Sequence, residues 1–293
     1  MNLKRLAVLL TLFTAGLAAA ADSSMKPFVL AQRASGEPSG VLADVRARLG
    51  KAGFRIVGEY TPYAGATVVA VTSDELLAAA AKGRFGAYGA AQRVTVTKVG
   101  AEVQVAFTNP AWMQASYRMA GSLDGVGAKL AEALGRIEEF GPGEGKTAKQ
   151  LRGYHYMLGM PYFDEPVKLG KFESQAAAVA AVEAGLAARK GGVSRVYRLD
   201  VPGVDESVFG VGLTEGCGGD RFVMKEIDFK PLRSTGHLPY ELVVSKGEVF
   251  ALHAKFRIAM NFPDLAMMGS NSFMNIRCAP DAIEKSLRSV TGK

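Results

Sequence analysis

The run Arg93-Val-Thr-Val-Thr-Lys-Val-Gly-Ala-Glu-Val-Gln-Val-Ala-Phe-Thr-Asn-Pro110 decides the fold class. Residues 93–99 and 102–108 are rich in β-branched side chains and flank Gly100, so they predict a hairpin. A second run can be laid on the first. Arg93-Val-Thr-Val-Thr-Lys falls on Glu241-Leu-Val-Val-Ser-Lys, Gly100 on Gly247, Val103 on Val249, and Asn109-Pro110 on Phe262-Pro263. Two hairpins that each end at an X-Pro, one in each half of the chain, predict an internal duplication. The expected fold is α+β, with two similar domains that are each an antiparallel sheet with packed helices.

Outward from the first hairpin, residues 27–33, 54–60 and 66–72 read as strands. Helices are expected after Ser39 (apolar at Val41, Val45 and Leu49), after Thr72 with Glu75, and after Ser122 (Leu123, Val126, Leu130 and Leu134). In the second half, Ser174 caps a helix with Val179, Val182 and Leu186 inward. Strands follow at residues 193–201, 207–213 and 221–229, then a hairpin of 238–245 with 248–262. Pro280 opens a closing helix with Ile283, Leu287 and Val290 inward. The glycine-dense stretch Phe140-Gly-Pro-Gly-Glu-Gly-Lys-Thr147 breaks the periodicity. It sets a linker at residues 140–152 between domains at 22–139 and 153–293. It is not a phosphate loop, because only three residues separate Gly141 from Gly145 where that loop needs four.

Leu49-Gly-Lys-Ala-Gly-Phe-Arg-Ile-Val57, a helix end running through Gly-Phe into a strand, resembles the bacterial domain-of-unknown-function family 302. Gly236-His-Leu-Pro-Tyr-Glu-Leu-Val-Val244 resembles it too, so that the likeness covers each half once. The resemblance implies a small α+β domain in tandem, with one helix packed on an antiparallel sheet and a second behind it. Tyr240 stands where many members carry a cysteine, so no thiol chemistry carries over, and the family implies no activity.

The chain begins as an export leader does. Lys4 and Arg5 precede an apolar stretch at residues 6–17, and Ala18-Ala19-Ala20 offers a cleavage pattern before residue 21 or 22. A periplasmic or secreted protein is expected, with no integral membrane segment after cleavage. The formal charge of +7 becomes +5 without Lys4 and Arg5, and no basic run exists, which argues against nucleic acid as a partner. A small molecule or a periplasmic protein fits better. Cys217 and Cys278 are too few for a disulfide scaffold or a four-thiolate metal site. In an oxidising compartment a single disulfide is their simplest reading, with free thiols or a thiolate site as the alternatives.

No catalytic motif is present: neither Gly-x-Ser-x-Gly nor His-Glu-x-x-His occurs, and the neighbouring acids Glu138-Glu139 and Asp164-Glu165 read as solvated. No cofactor or metal is expected. The ligand-binding candidates are His237, Tyr240, His253, Arg257, Tyr154 and His155. If residues 249–262 are a strand, alternation places His253, Lys255, Arg257 and Asn261 on one face, suited to an anion. Tyr154 and Tyr156 flank His155 and offer stacking to a planar ligand. The expected function is non-catalytic binding in a groove between the two domains. The alternatives are an enzyme that uses His253 or His237 with Arg257 on an anionic substrate, and a copper-handling protein that uses Met260, Met267, Met268 and Met274.

Overall fold

The computed structural model describes residues 23–292, so the leader expected at residues 1–21 lies outside the described residues. The first half runs β1 (Phe28–Ser35), α1 (Pro38–Lys51), β2 (Arg55–Tyr63), β3 (Ala66–Thr72), α2 (Asp74–Ala80), β4 (Gln92–Val99), β5 (Glu102–Thr108), α3 (Pro110–Ser116), α4 (Asp124–Leu134) and β6 (Glu138–Phe140). A short helix, α5 (Ala148–Arg152), follows. The second half runs β7 (Val167–Lys171), α6 (Gln175–Ala187), β8 (Val193–Asp200), β9 (Glu206–Leu213), α7 (Asp220–Ile227), β10 (Tyr240–Ser245), β11 (Glu248–Ala251), α8 (Ala254–Asn261) and α9 (Ala279–Thr291).

Both sheets are antiparallel, so the protein is α+β with two sheets. Their orders are β2-β3-β4-β5-β1-β6 and β8-β9-β10-β11-β7. Apart from β6, which adds an edge to the first sheet, the two orders coincide element by element. The hairpin turns align Gly100-Ala101 with Lys246-Gly247, since Val99 pairs with Glu102 and Ser245 with Glu248. That register matches Glu241 to Thr95, two residues from the Arg93 expected on sequence and on the same strand face. Each hairpin is followed by a helix, capped by Asn109 for α3 and by His253 for α8; His253 lies two residues short of the position that this register gives Asn109, and Phe262 lies at the far end of α8.

Two segments expected to be strands are helical. Residues 221–229 fall largely in α7, which buries Val223, Met224 and Ile227 at helical spacing and leaves Phe222 exposed. Residues 249–262 leave the sheet at Ala251, turn at His253 and continue as α8. This helix buries Ala254, Phe256, Arg257, Ile258, Ala259 and Met260, and a helix buried nearly all round carries no period that separates it from a strand. The single polar face expected for His253 and Arg257 therefore does not exist.

Each sheet buries one face under its own helices. Val94, Val96, Val103 and Val105 pack with Leu49, Leu76 and Leu130, and Leu242, Val244 and Val249 pack with Val182, Leu186 and Leu287. Each such side chain contributes about 1.5–3 kcal/mol by leaving water. The opposite faces turn toward the other half. Gln104 Nε2 donates to Pro231 O (2.9 Å) and its Oε1 accepts from Arg233 N (3.0 Å). Thr97 Oγ1 lies 3.0 Å from Thr235 Oγ1. Reciprocally, Ala87 N donates to Glu206 Oε2 at 3.3 Å. Strands β2 and β8 cross so closely that a Cβ on Gly58 would stand 2.1 Å from Val196 O, and only glycine fits there. One core cluster runs through both halves, joining Val69 and Phe107 to Tyr197, Val243 and Phe256.

The stretch expected as a linker is structured. Lys146 bridges to Met25, and α5 opens with a capping box between Thr147 and Gln150. Leu151 is buried in the shared core. Cys217 and Cys278 form a disulfide, with Cα atoms 6.1 Å apart. Among the described residues no helix is long and apolar enough to cross a membrane.

Candidate functional site

The candidate residues fall into two places. His237, Tyr240 and Arg257 lie in a buried polar centre where the sheets meet. His155 and His253 line an open cleft at the other end of α8. Tyr154 belongs to neither: its ring meets Phe256 edge-on, and its hydroxyl donates to Ala259 O at 2.6 Å.

The buried centre is built on an ion bridge. Arg93 comes from β4, Glu241 from β10 and Arg257 from α8, and each is only 3% exposed. Arg93 pairs with Glu241 Oε1, and Arg257 Nη1 stands 3.0 Å from Glu241 Oε2. Arg257 also donates to the carbonyls of His237 and Pro239, and its guanidinium lies 4.4 Å from the centre of the Tyr240 ring. Asn261 Nδ2 contacts His237 Nδ1 at 2.8 Å, an arrangement that places the ring proton on Nε2, toward Tyr240 Oη at 3.4 Å. Burial holds the His237 imidazole well below its ordinary range, and the charges of Arg257 and Arg93 push the same way, so it is neutral. Burial pushes the Tyr240 phenol up. These groups are locked to one another, which makes them structural partners before they are ligand groups.

Asp220, in the first turn of α7, borders this centre. Its Oδ2 accepts from Leu213 N at 3.0 Å, yet burial pushes its carboxyl up to about 7. The folded chain therefore binds this proton more tightly than the unfolded chain, whose Asp titrates near 3.8. The linked stability is full at low pH and is lost as pH rises through the interval from about 4 to about 7. Urea midpoints measured from pH 4.5 to 7.5 are expected to fall further in the wild type than in Asp220→Asn. Equal profiles would contradict this placement of the proton.

The open cleft, about 550 Å³, lies between the loop of residues 155–165, the start of α8 and the start of α9. The His155 ring stacks on Tyr162, with centroids 4.2 Å apart and planes 9° from parallel, and His155 Nε2 lies 2.9 Å from Met160 O. His253, the N-cap of α8, is half-buried and stands 3.8 Å from Glu284 Oε2. Desolvation lowers its affinity for a proton, with Lys255 acting the same way and Glu284 and Glu165 opposing it. The lining carries three carboxylates, Glu165, Asp281 and Glu284, against the single ammonium of Lys255. Arg288 offsets part of the Glu284 charge at 3.1 Å. A volume of this order admits a small organic ligand. The stacked pair supplies an apolar plane and the carboxylates favour a positive charge.

Arg257 does not reach this cleft, so the anion-binding pair His253 with Arg257 is not assembled. Met260 is buried in the core, apart from the exposed Met267, Met268 and Met274. Sequence reasoning missed Arg93, Glu241, Tyr162, Glu165 and Glu284. For Arg93 and Glu241 the sequence shows only a charged residue in each strand-like run, with nothing that pairs the two. Tyr162 and Glu165 sit on an irregular loop and carry no periodic signal. Comparison with protein-family models, with curated proteins and with solved structures found no match to this chain.

Proposed function

We propose that this is an exported, periplasmic or secreted binding protein without catalytic activity, which holds a small organic cation in the cleft beside α8. The observation that carries this reading is the stacked His155–Tyr162 pair sharing one cleft with His253, Glu165, Asp281 and Glu284. A flat apolar wall with an acidic surround recognises an amine or guanidinium attached to an apolar body. The Cys217–Cys278 disulfide suits an oxidising compartment, and the leader-like residues 1–21 point the same way. Kinship with the domain-of-unknown-function family 302 is part of this reading and rests on the residues quoted above.

A thermal-shift screen of amines, amino acids, carboxylates and sugar phosphates tests it. Amine-bearing compounds are expected to raise Tm, and Glu165→Gln and His253→Ala are expected to weaken binding about tenfold each, roughly the loss of one charged hydrogen bond. His253 is neutral at neutral pH, and protonating it adds a positive charge to the site. Affinity for a cation is therefore expected to fall as pH drops toward 5. Binding of carboxylates in preference to amines, or variants that bind as the wild type does, would refute the assignment.

A further inference from the structure

A second, smaller and partly open space lies where the first sheet meets α8. It is a cavity of about 20 Å³, and Arg93 from the first half and Arg257 from the second both line it. Thr108 and Asn261 add polar groups, and Trp112 and Met260 supply apolar wall. The volume exceeds the roughly 10–15 Å³ that one water requires and falls short of what a metabolite requires.

Two features of this space are unsatisfied. The first is hydrogen bonding: among the described residues, Arg93 Nε and Arg257 Nε have no acceptor, although both residues are only 3% exposed. Buried N–H groups almost always find a partner, and one left unmade on a charged group is costly. The second is charge. Glu241 bridges the two guanidiniums but carries one negative charge against two positive ones. His237 is neutral, and burial keeps the Asp220 carboxyl partly protonated near neutral pH. A water in the cavity satisfies hydrogen bonds but leaves the excess charge in place. A small anion answers both.

We propose that the cavity between the two halves is a binding site for a small monovalent anion of halide or formate size, held by Arg93 and Arg257. Such an anion joins the halves from within, since one guanidinium stands on β4 and the other on α8. Sulfate and larger oxyanions do not fit. This site is separate from the cleft beside α8, and neither depends on the other.

The test begins with purified protein exchanged into sodium gluconate at fixed ionic strength, a large anion that the cavity cannot admit. Gluconate is then replaced stepwise by chloride, bromide or formate, with urea unfolding followed at each step. Above its Kd the small anion is expected to raise the folding equilibrium constant about tenfold for each tenfold rise in its concentration, while sulfate does not. Anomalous diffraction from bromide-soaked crystals is expected to place one peak between Arg93 and Arg257. Arg93→Met is expected to abolish both effects. Should that variant fail to fold, the bromide map of the wild type decides alone. Identical unfolding in chloride and gluconate, or a map with no peak at this position, overturns the proposal.

Discussion

Replacing Glu241 with leucine is expected to destabilise the folded protein by about 3–5 kcal/mol, the range for removing one partner of a buried ion bridge. Among the described residues Glu241 is the only carboxylate paired with both Arg93 and Arg257, and all three are nearly excluded from solvent. Without it, two guanidiniums remain in a low-dielectric core, and water cannot compensate them without opening the contact between the sheets. The same reasoning predicts a recovery. Arg93→Met/Glu241→Leu/Arg257→Met removes every charge of the bridge and keeps much of its volume, so it is expected to lie well above the single variant in stability. Urea unfolding of the three proteins at pH 7.5, with equal m-values, measures both effects. A single variant within about 1 kcal/mol of wild type would mean the bridge is not buried as described, since only exposed pairs are worth that little.

The disulfide gives the second large effect. Cys217 and Cys278 lie 61 residues apart in sequence, so their bond closes a long loop of the unfolded chain. The loop-entropy relation puts its contribution at about 4 kcal/mol. In the fold it ties the turn before α7 to the start of α9, where Gly218 packs so tightly that a Cβ would stand 2.8 Å from Ile283 N. Cys217→Ala/Cys278→Ala is expected to lose most of that contribution. Thermal unfolding with and without reductant is the measurement, and the wild type is expected to respond to reductant while the double variant does not. A wild type indifferent to full reduction, confirmed by thiol titration, would remove the disulfide from the stability of this fold.

The architecture was legible where one face of an element is buried and the other is not. The hairpin of β4 and β5 alternates because Val94 and Val96 enter the helix-covered core while Arg93, Thr95 and Thr97 face the other half. Helix α6 was legible from its cap, since Ser174 Oγ accepts from Ala177 N at 3.1 Å. Helix α8 was not, because nearly every side of it is buried and its apolar residues fit two periods at once. That misreading set His253 and Arg257 side by side on a strand face, whereas the helix sends one to an open cleft and the other into the core. The partners of Arg257 come from residues 16 to 20 positions away in sequence, across β10 and β11. Those of Arg93 come from the other half of the chain. Long-range pairing of this kind leaves no local trace. The cleft was half legible: His155 and His253 were singled out, but their meeting depends on the path of the irregular loop at residues 155–165.

The three histidines sit in three different environments, and this makes the ligand site directly measurable. His155 is stacked on Tyr162, His253 is half-buried at the N-terminus of α8, and His237 is fully enclosed beside Arg257 and Asn261. Imidazole proton–nitrogen NMR spectra, assigned by single His→Gln variants, follow all three as an amine ligand from the thermal-shift screen is added. The prediction is that the signals of His155 and His253 move together with one saturating dissociation constant while His237 stays fixed. Movement of His237 alone, or no movement of His155 and His253 at saturation, would contradict ligand binding in the cleft beside α8.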